Sequence, residues 1–300
     1  MKKWIVPTLL MLLLTACAAS PQNENGQANE EEPAGAENQN DNNNKDDKEP
    51  ASQDEQENVP REGESSEDAE EATTDTESAE GNPEEPQYTI NPADSSIKPI
   101  GEANAEVVLL TIDDAPDRYS MEMAKTLKEL GVKAIFFVNG HFLQTDEEKA
   151  TLKKIHELGF PIGNHTMNHK SLRQITEEEQ YDEIVALNDL IEEIIGERPK
   201  FFRAPFGINT DYSDELVASE GMVRMNWTYG YDWEQDYTTP EAIADIMVNA
   251  KELRSGANLL MHDREWTNAA LADIVNGLQD KGYEMLDPEL IDVQMDDSEI

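Results

Sequence analysis

The chain has 300 residues, a formal charge of −42 and a hydrophobic content of 37%. So polar a composition excludes a polytopic membrane protein, and so acidic a surface argues against nucleic acid as a partner, because phosphates are neutralised by Lys and Arg. The single cysteine, Cys17, rules out an intramolecular disulfide and any zinc site built on several thiolates, so a metal must be held by His and carboxylate.

Lys2 and Lys3 form a short basic head, and Trp4–Leu14 is an apolar run too short to cross a bilayer. Leu14-Thr15-Ala16-Cys17 then supplies a small-residue processing site. This segment resembles the lipobox of bacterial lipoproteins. The resemblance implies a signal peptide over residues 1–17, cleavage before Cys17 and a diacylglycerol on its sulfur. The protein would then be anchored at the outer face of the bacterial cytoplasmic membrane. The alternative is an ordinary secretory signal with an accidental cysteine.

From Ala18 to Ser96, 24 acidic residues stand against 3 basic ones, and Leu, Ile, Val and Phe are nearly absent. Such a stretch buries too little apolar surface to offset the entropy of ordering it, and its like charges keep it extended. Residues 18–96 are therefore predicted to be a disordered acidic linker, leaving 97–300 to carry the fold.

In that remainder short apolar runs alternate with amphipathic stretches. Strands are predicted at Val107–Ile112, Ala134–Val138, Pro161–Gly163, Lys200–Arg203, Met222–Thr228, Ala257–Met261 and Tyr283–Leu286. Helices are predicted over Met121–Leu130, Glu147–Leu158, Thr176–Ile195, Tyr212–Ser219, Pro240–Leu253 and Asn268–Lys281. Gly131 and Gly159 act as stop signals, and Thr176 with Glu179 forms a capping-box pattern. Seven strands alternating with helices indicate an α/β fold with a mainly parallel sheet. No Gly-rich phosphate loop follows the first strand, so a barrel is favoured over a nucleotide-binding fold.

The unusual polar residues cluster just past the strand ends, where βα barrels build their active sites. They are Asp113-Asp114, His165 and His169, Arg203 through Gly207, Asp232-Trp233, and Leu260 to Asp263. Two imidazoles four residues apart reach the same side if the second lies on a helical turn. With one carboxylate they would make a facial site for a divalent ion with positions left open. By spacing alone the pair could equally be surface histidines, and the paired aspartates a strand-end turn. Neighbouring strand residues face opposite ways, so two adjacent carboxylates past a strand end can do two jobs.

Taken together, these stretches resemble the polysaccharide deacetylase family, the NodB-homology carbohydrate esterases of family 4. Thr111-Ile-Asp-Asp114 resembles its first motif and His165-Thr166-Met-Asn-His169 fits the second. Arg203-Ala-Pro-Phe-Gly207 fits the third, Asp232-Trp233 the fourth and Leu260-Met-His262 the fifth, all in order over about residues 105–286. The resemblance implies a distorted (β/α)7 barrel of the NodB type. It also implies a metal-dependent hydrolase that removes N-acetyl or O-acetyl groups from a cell-wall polysaccharide, peptidoglycan first.

Further implied are Asp114, His165 and His169 as ligands of a divalent metal, zinc first, with cobalt or another divalent ion as alternatives. Asp113 is implied as general base and Arg203 as the group that positions it. His262 is implied as general acid and Asp232 as its orienter. The backbone N–H of Phe206 is implied as an oxyanion donor, and Trp233 and Leu260 as an acetyl pocket, for which plain core packing is an equal alternative. His141 and His156 have no place in this scheme. The implied partners are an acetylated cell-wall glycan and, through Cys17, a membrane, with the protein a monomer.

Two positions depart from the family pattern: Ile112 stands for an aromatic and Ala115 for Gly. If the latter needs positive φ, alanine is strained there and Asp114 is displaced. The competing reading is a non-catalytic glycan-binding lipoprotein on the same fold. A transporter's solute receptor is a weaker alternative, because it leaves the metal-ligand spacing unexplained.

Overall fold

The structure, a computed structural model, describes residues 85–293. The chain divides into two units, residues 1–74 and 75–300, and every described residue belongs to the second. The expected signal peptide with Cys17, and the linker as far as residue 84, lie outside the described residues. No helix among the described residues is long and apolar enough to cross a membrane.

All seven expected strands are present and parallel. They are β3 (Val107–Ala115), β4 (Ile135–Val138), β5 (Ile162–Asn164), β6 (Phe201–Phe202), β7 (Val223–Arg224), β8 (Ala257–His262) and β9 (Glu284–Met285). The spatial order is β7-β6-β5-β4-β3-β8, with β9 beside the first residues of β3. The stretch after β7 brings the two edges of this curled sheet together. Met225 N–H donates to Phe202 C=O at 2.9 Å on one side, and Thr228 N–H donates to Asn258 C=O at 2.7 Å on the other. Tyr229 then bridges Leu259 of β8. Parallel strands need long crossovers, and the helices supply them. These are α1 (Ser120–Leu130), α2 (Asp146–Glu157), α3 (Glu177–Ile195), α4 (Asp211–Ser219), α5 (Pro240–Asn249) and α6 (Glu265–Asp280). The fold is thus the NodB-type (β/α) barrel that the resemblance implied.

Helix ends follow the expected chemistry. Thr176 and Glu179 form the capping box of α3, Thr145 and Glu148 do the same for α2, and Gly131 closes α1 in the left-handed conformation. Two helix boundaries differ from the sequence reading by more than one residue. Helix α5 stops at Asn249 because Ala250 is extended (ψ 143°), and α6 starts at Glu265, three residues early.

The folded part also begins before residue 97. Strand β1 (Tyr88–Ile90) pairs antiparallel with β2 (Ile97–Pro99), and Tyr88, Ser95 and Ser96 are buried. Tyr88 also bridges Ile291. The linker boundary at 96 was therefore too late. The acidic composition of the preceding stretch masked the short alternation Tyr88-Thr89-Ile90.

Strand β3 sets the layout. Its even positions Val108, Leu110 and Ile112 pack with Phe136, Val138, Leu259 and Met261 against α1 and α6, through Met123, Leu127, Leu271 and Ile274. Its odd positions face the other way, as the two-residue period of a strand requires. Val107 and Leu109 join Ile135, Phe137, Phe201, Met225 and the hairpin residues Tyr88 and Ile97 in a second apolar cluster. Further along the same face come Thr111 and Asp113, buried and polar. A Cβ on Gly163 would sit 2.5 Å from the Phe137 ring, so only glycine lets that ring lie inside.

Candidate active site

Register places the first pair of groups. Asp113 of β3 lies opposite His262 of β8, and Thr111 opposite Leu260, so all four point to one face. On the far side, Arg203 follows β6 and is wholly buried. Its Nη1 donates to Asp113 Oδ1 at 2.7 Å and to Thr111 Oγ1 at 2.8 Å, and its Nη2 donates to Asn226 C=O at 2.8 Å. The guanidinium stacks 4.4 Å from the Phe137 ring centre. Burial by itself would raise the Asp113 carboxyl, but Arg203, His165 and His262 outweigh it and hold it below the ordinary carboxylate value.

Asp114 reaches the same pocket by a different device. The β3–β4 register is interrupted between Ile112 and Ala115, and Asp114 takes φ 62°. Both carboxylates therefore line one pocket, although they are chain neighbours. The positive φ falls on Asp114 and not on Ala115. Ala115 is buried, pairs with Val138 and accepts a hydrogen bond from Asn139 N–H at 3.1 Å. The strain expected from alanine at that position is absent.

His165 and His169 meet without the helical turn on which the spacing argument relied. The loop between them turns instead through left-handed residues, Thr166 at φ 69° and His169 at φ 54°, and the ring centres stand 4.9 Å apart. His165 Nδ1 bonds Arg203 C=O at 2.7 Å. A carbonyl can only accept, so Nδ1 is the donor, and Nε2 is the nitrogen that faces the pocket. Burial, then the neighbouring His165, hold His169 below its ordinary value, which keeps its ring neutral. One ligand atom each from Asp114, His165 and His169 lies within 4.8 Å of the others. His169 Nε2 and Asp114 Oδ1 are 3.8 Å apart, a gap spanned by an ion about 2 Å from each. Two imidazoles and one carboxylate with open positions fit a divalent transition metal.

Opposite these groups, His262 Nδ1 and Asp232 Oδ1 are 2.7 Å apart, and Asp232 Oδ2 accepts from His262 N–H at 2.6 Å and Thr267 Oγ1 at 2.8 Å. Burial alone would lower His262. The charge and hydrogen bond of Asp232, joined by Asp113 and Asp114, reverse this and raise it above its ordinary value. Phe206 sits at φ 60°, ψ 11°, with its ring 63% exposed. Its N–H is bonded to none of the described residues. Trp233 is 45% exposed and Leu260 buried, and with Phe206 they line the same cavity of about 420 Å³. All ten sequence-derived site residues of the folded part therefore converge here. His156 lies elsewhere, on α2 near Glu197.

Sequence reading missed several contributors. Trp227 lines the cavity from the edge-joining stretch, and Arg264 lines it while donating to Asp114 Oδ2 at 3.1 Å. Asp263 collects the N–H groups of Arg118, Tyr119 and Ser120 and so fixes the start of α1. Polar Thr111 and Asn258 inside otherwise apolar strands were a readable signal. Arg264 carried none.

A model of the polysaccharide deacetylase family matches residues 100–225. A peptidoglycan-N-acetylglucosamine deacetylase of Bacillus cereus is 31% identical over 189 residues, covering 60% of this chain and 68% of that protein. The chain belongs to the polysaccharide deacetylase family. YlxY of Bacillus subtilis is 29% identical over 168 residues, 56% of this chain, and the match takes in only 51% of YlxY. Among solved structures, BA3943 of Bacillus anthracis, a pseudoenzyme of carbohydrate esterase family 4, superposes with TM-score 0.56 at 26% identity. That match covers 62% of this chain and 64% of the other. A mutant of BA3943 has restored enzymatic activity. The proteins that this chain resembles therefore include both deacetylases and a pseudoenzyme.

Proposed function

We propose that this protein is a metal-dependent hydrolase that removes N-acetyl groups from a cell-wall polysaccharide, with peptidoglycan as the leading substrate. The observation that carries this reading is the placement of Asp113 and His262, the first held from behind by Arg203 and the second by Asp232, in one cavity with Asp114, His165 and His169. Bound there, a divalent ion such as zinc or cobalt would acidify water and polarise the acetyl carbonyl.

The chain's own groups do the rest. Asp113, held ionised and aimed by Arg203, takes the proton from the attacking water. The Phe206 N–H, bonded to none of the described residues, donates to the oxyanion that develops on the carbonyl. His262 enters charged, its imidazolium favoured by Asp232, and gives its proton to the departing amine. Trp233, Leu260 and Trp227 supply the apolar side of the cavity and would receive the acetyl methyl.

The decisive assay is acetate release by the metal-loaded full chain from peptidoglycan, from N-acetylglucosamine oligomers and from muramic-acid-containing fragments. Release from at least one glycan is expected, and the glycan identifies the substrate. The second reading, a glycan-binding protein without turnover, is favoured by the likeness to a pseudoenzyme. Metal bound with no acetate from any glycan would establish it. Against it stands the presence of every proton-transfer group in bonded geometry.

We further propose, from the sequence alone, that Cys17 carries the lipid anchor, that the acidic stretch following it is a tether, and that the protein acts as a monomer at the outer face of the membrane. Incorporation of labelled fatty acid that is lost in C17A tests the anchor.

A further inference from the structure

The loop that carries both histidines is held in a conformation its residues do not favour. Thr166 and His169 are non-glycine residues with positive φ, each disfavoured by roughly 1–3 kcal/mol, and such residues persist only where the surroundings over-determine them. The backbone donors of the loop show what holds it. His165 N–H goes to Val138 C=O, Thr166 N–H to Asn164 Oδ1 at 2.8 Å, and His169 N–H to Thr166 Oγ1 at 3.1 Å. The two in the middle go to a single residue of α3. Met167 N–H donates to Glu183 C=O at 2.8 Å, and Asn168 N–H donates to Glu183 Oε2 at 2.6 Å. Asn168 Nδ2 adds a third bond, to Glu183 Oε1 at 2.9 Å.

Glu183 is 2% exposed, on the face of α3 that also buries Ile184, Leu187 and Ile191. A carboxylate in that stripe is expensive to desolvate and persists only where charged or hydrogen-bonded partners meet it. Among the described residues its only cation is Lys170, at 3.1 Å and half-exposed, one residue past His169 in the same loop. Among the described residues, the partners of this buried carboxylate thus belong to residues 168–170.

We infer that Glu183 is a positioning residue for the metal centre, fixing the loop so that the His165 and His169 imidazoles reach one ion. The inference rests on the reading of Asp114, His165 and His169 as the ligands. With the carboxylate gone, Asn168 N–H loses its acceptor, the left-handed turn at His169 loses its brace, and the second imidazole samples positions away from Asp114.

The test is titration of the metal-free full-length protein with Co2+, reading both the Kd and the visible absorption spectrum, alongside melting of the metal-free form. Glu183→Ala is expected to weaken Co2+ binding by roughly 10–100-fold and to change the spectrum, as for other residues that orient metal ligands. Glu183→Gln keeps one acceptor for Asn168 N–H and is expected to lose less, roughly threefold or more. Asp182→Ala, an exposed acidic neighbour on α3, controls for charge and is expected to bind as wild type. Should the alanine variant not fold, the glutamine variant decides. Wild-type Kd and spectrum in the folded Glu183 variants would overturn the inference, leaving Glu183 a packing residue of α3. Failure of the wild type itself to bind Co2+ would instead overturn the ligand assignment, and with it this inference.

Discussion

The inner row of β3 runs Val107, Leu109, Thr111, Asp113, and its two ends behave as different materials. At the lower end Leu109 meets Ile135, Phe137, Phe201 and Met225, and the β1–β2 hairpin covers them with Tyr88 and Ile97. At the upper end Asp113 meets Arg203, His165 and His262, all charged or polar and all buried or nearly so. One backbone carries both because alternation is fixed while side-chain identity is free. The apolar end supplies stability and tolerates no water. The polar end is costly to desolvate and persists because each charge has a partner. Arg203 stands at the junction, its guanidinium lying on the Phe137 ring while it binds Asp113.

The sharpest way to break this division is His262→Ala. Turnover should fall by roughly 10²–10⁴-fold, the usual reach of acid–base catalysis, while Co2+ affinity stays at its wild-type value. Wild-type kcat in that variant would refute the assignment of His262. Arg203→Met attacks the junction and should damage both ends. Asp113 is left buried without its guanidinium, so denaturant unfolding should report a loss of about 3–5 kcal/mol, with turnover reduced as well.

Phe201→Ala tests the apolar end alone. A cavity in a packed core should cost about 3–5 kcal/mol of stability, yet turnover per folded molecule should be unchanged below the melting transition. Loss of activity beyond the unfolded fraction would show that the two ends are coupled. Tyr88→Ala, at the hairpin, should have the smallest effect on stability, about 1.5–3 kcal/mol, the burial value of one large side chain. No change at all would return residues 88–96 to the linker.

A pH profile sharpens the assignment of the upper end without touching stability. His262 is raised by Asp232, and the protonated form is the one that serves as acid. Activity should therefore persist below the raised value and decline as pH climbs through it. Asp232→Asn removes the charge that raises it, so the declining limb should move to lower pH. An unmoved limb in the kcat profile would assign it to another group.

Much of this was legible from residue types. The seven strands show as short apolar runs, several of them β-branched or aromatic, and the chemistry-bearing residues show as polar side chains just past them. The part that was not legible depends on backbone twist. Spacing suggested a helical turn for His165 and His169, whereas the pair is brought together by left-handed Thr166 and His169 braced by Asn164 and α3. The doubt over Ala115 arose because a sequence does not say which residue of a turn takes positive φ; here it is Asp114, one position earlier. Arg264 and Glu183 were invisible for a simpler reason. Each is one charge among many in a chain of −42, and only burial and direction set them apart.

Arg203 contributes two separate things: its carbonyl fixes the tautomer of His165, while its side chain governs Asp113. Every amino acid has that carbonyl, whereas only arginine has that planar fork. On the proposed reading, loss of this side chain is expected to spare the His165 ring that faces the ion and to disable the proton transfer. A descendant without it would then carry a cation while cleaving nothing, so cation content would be a poor witness to hydrolysis in such a lineage.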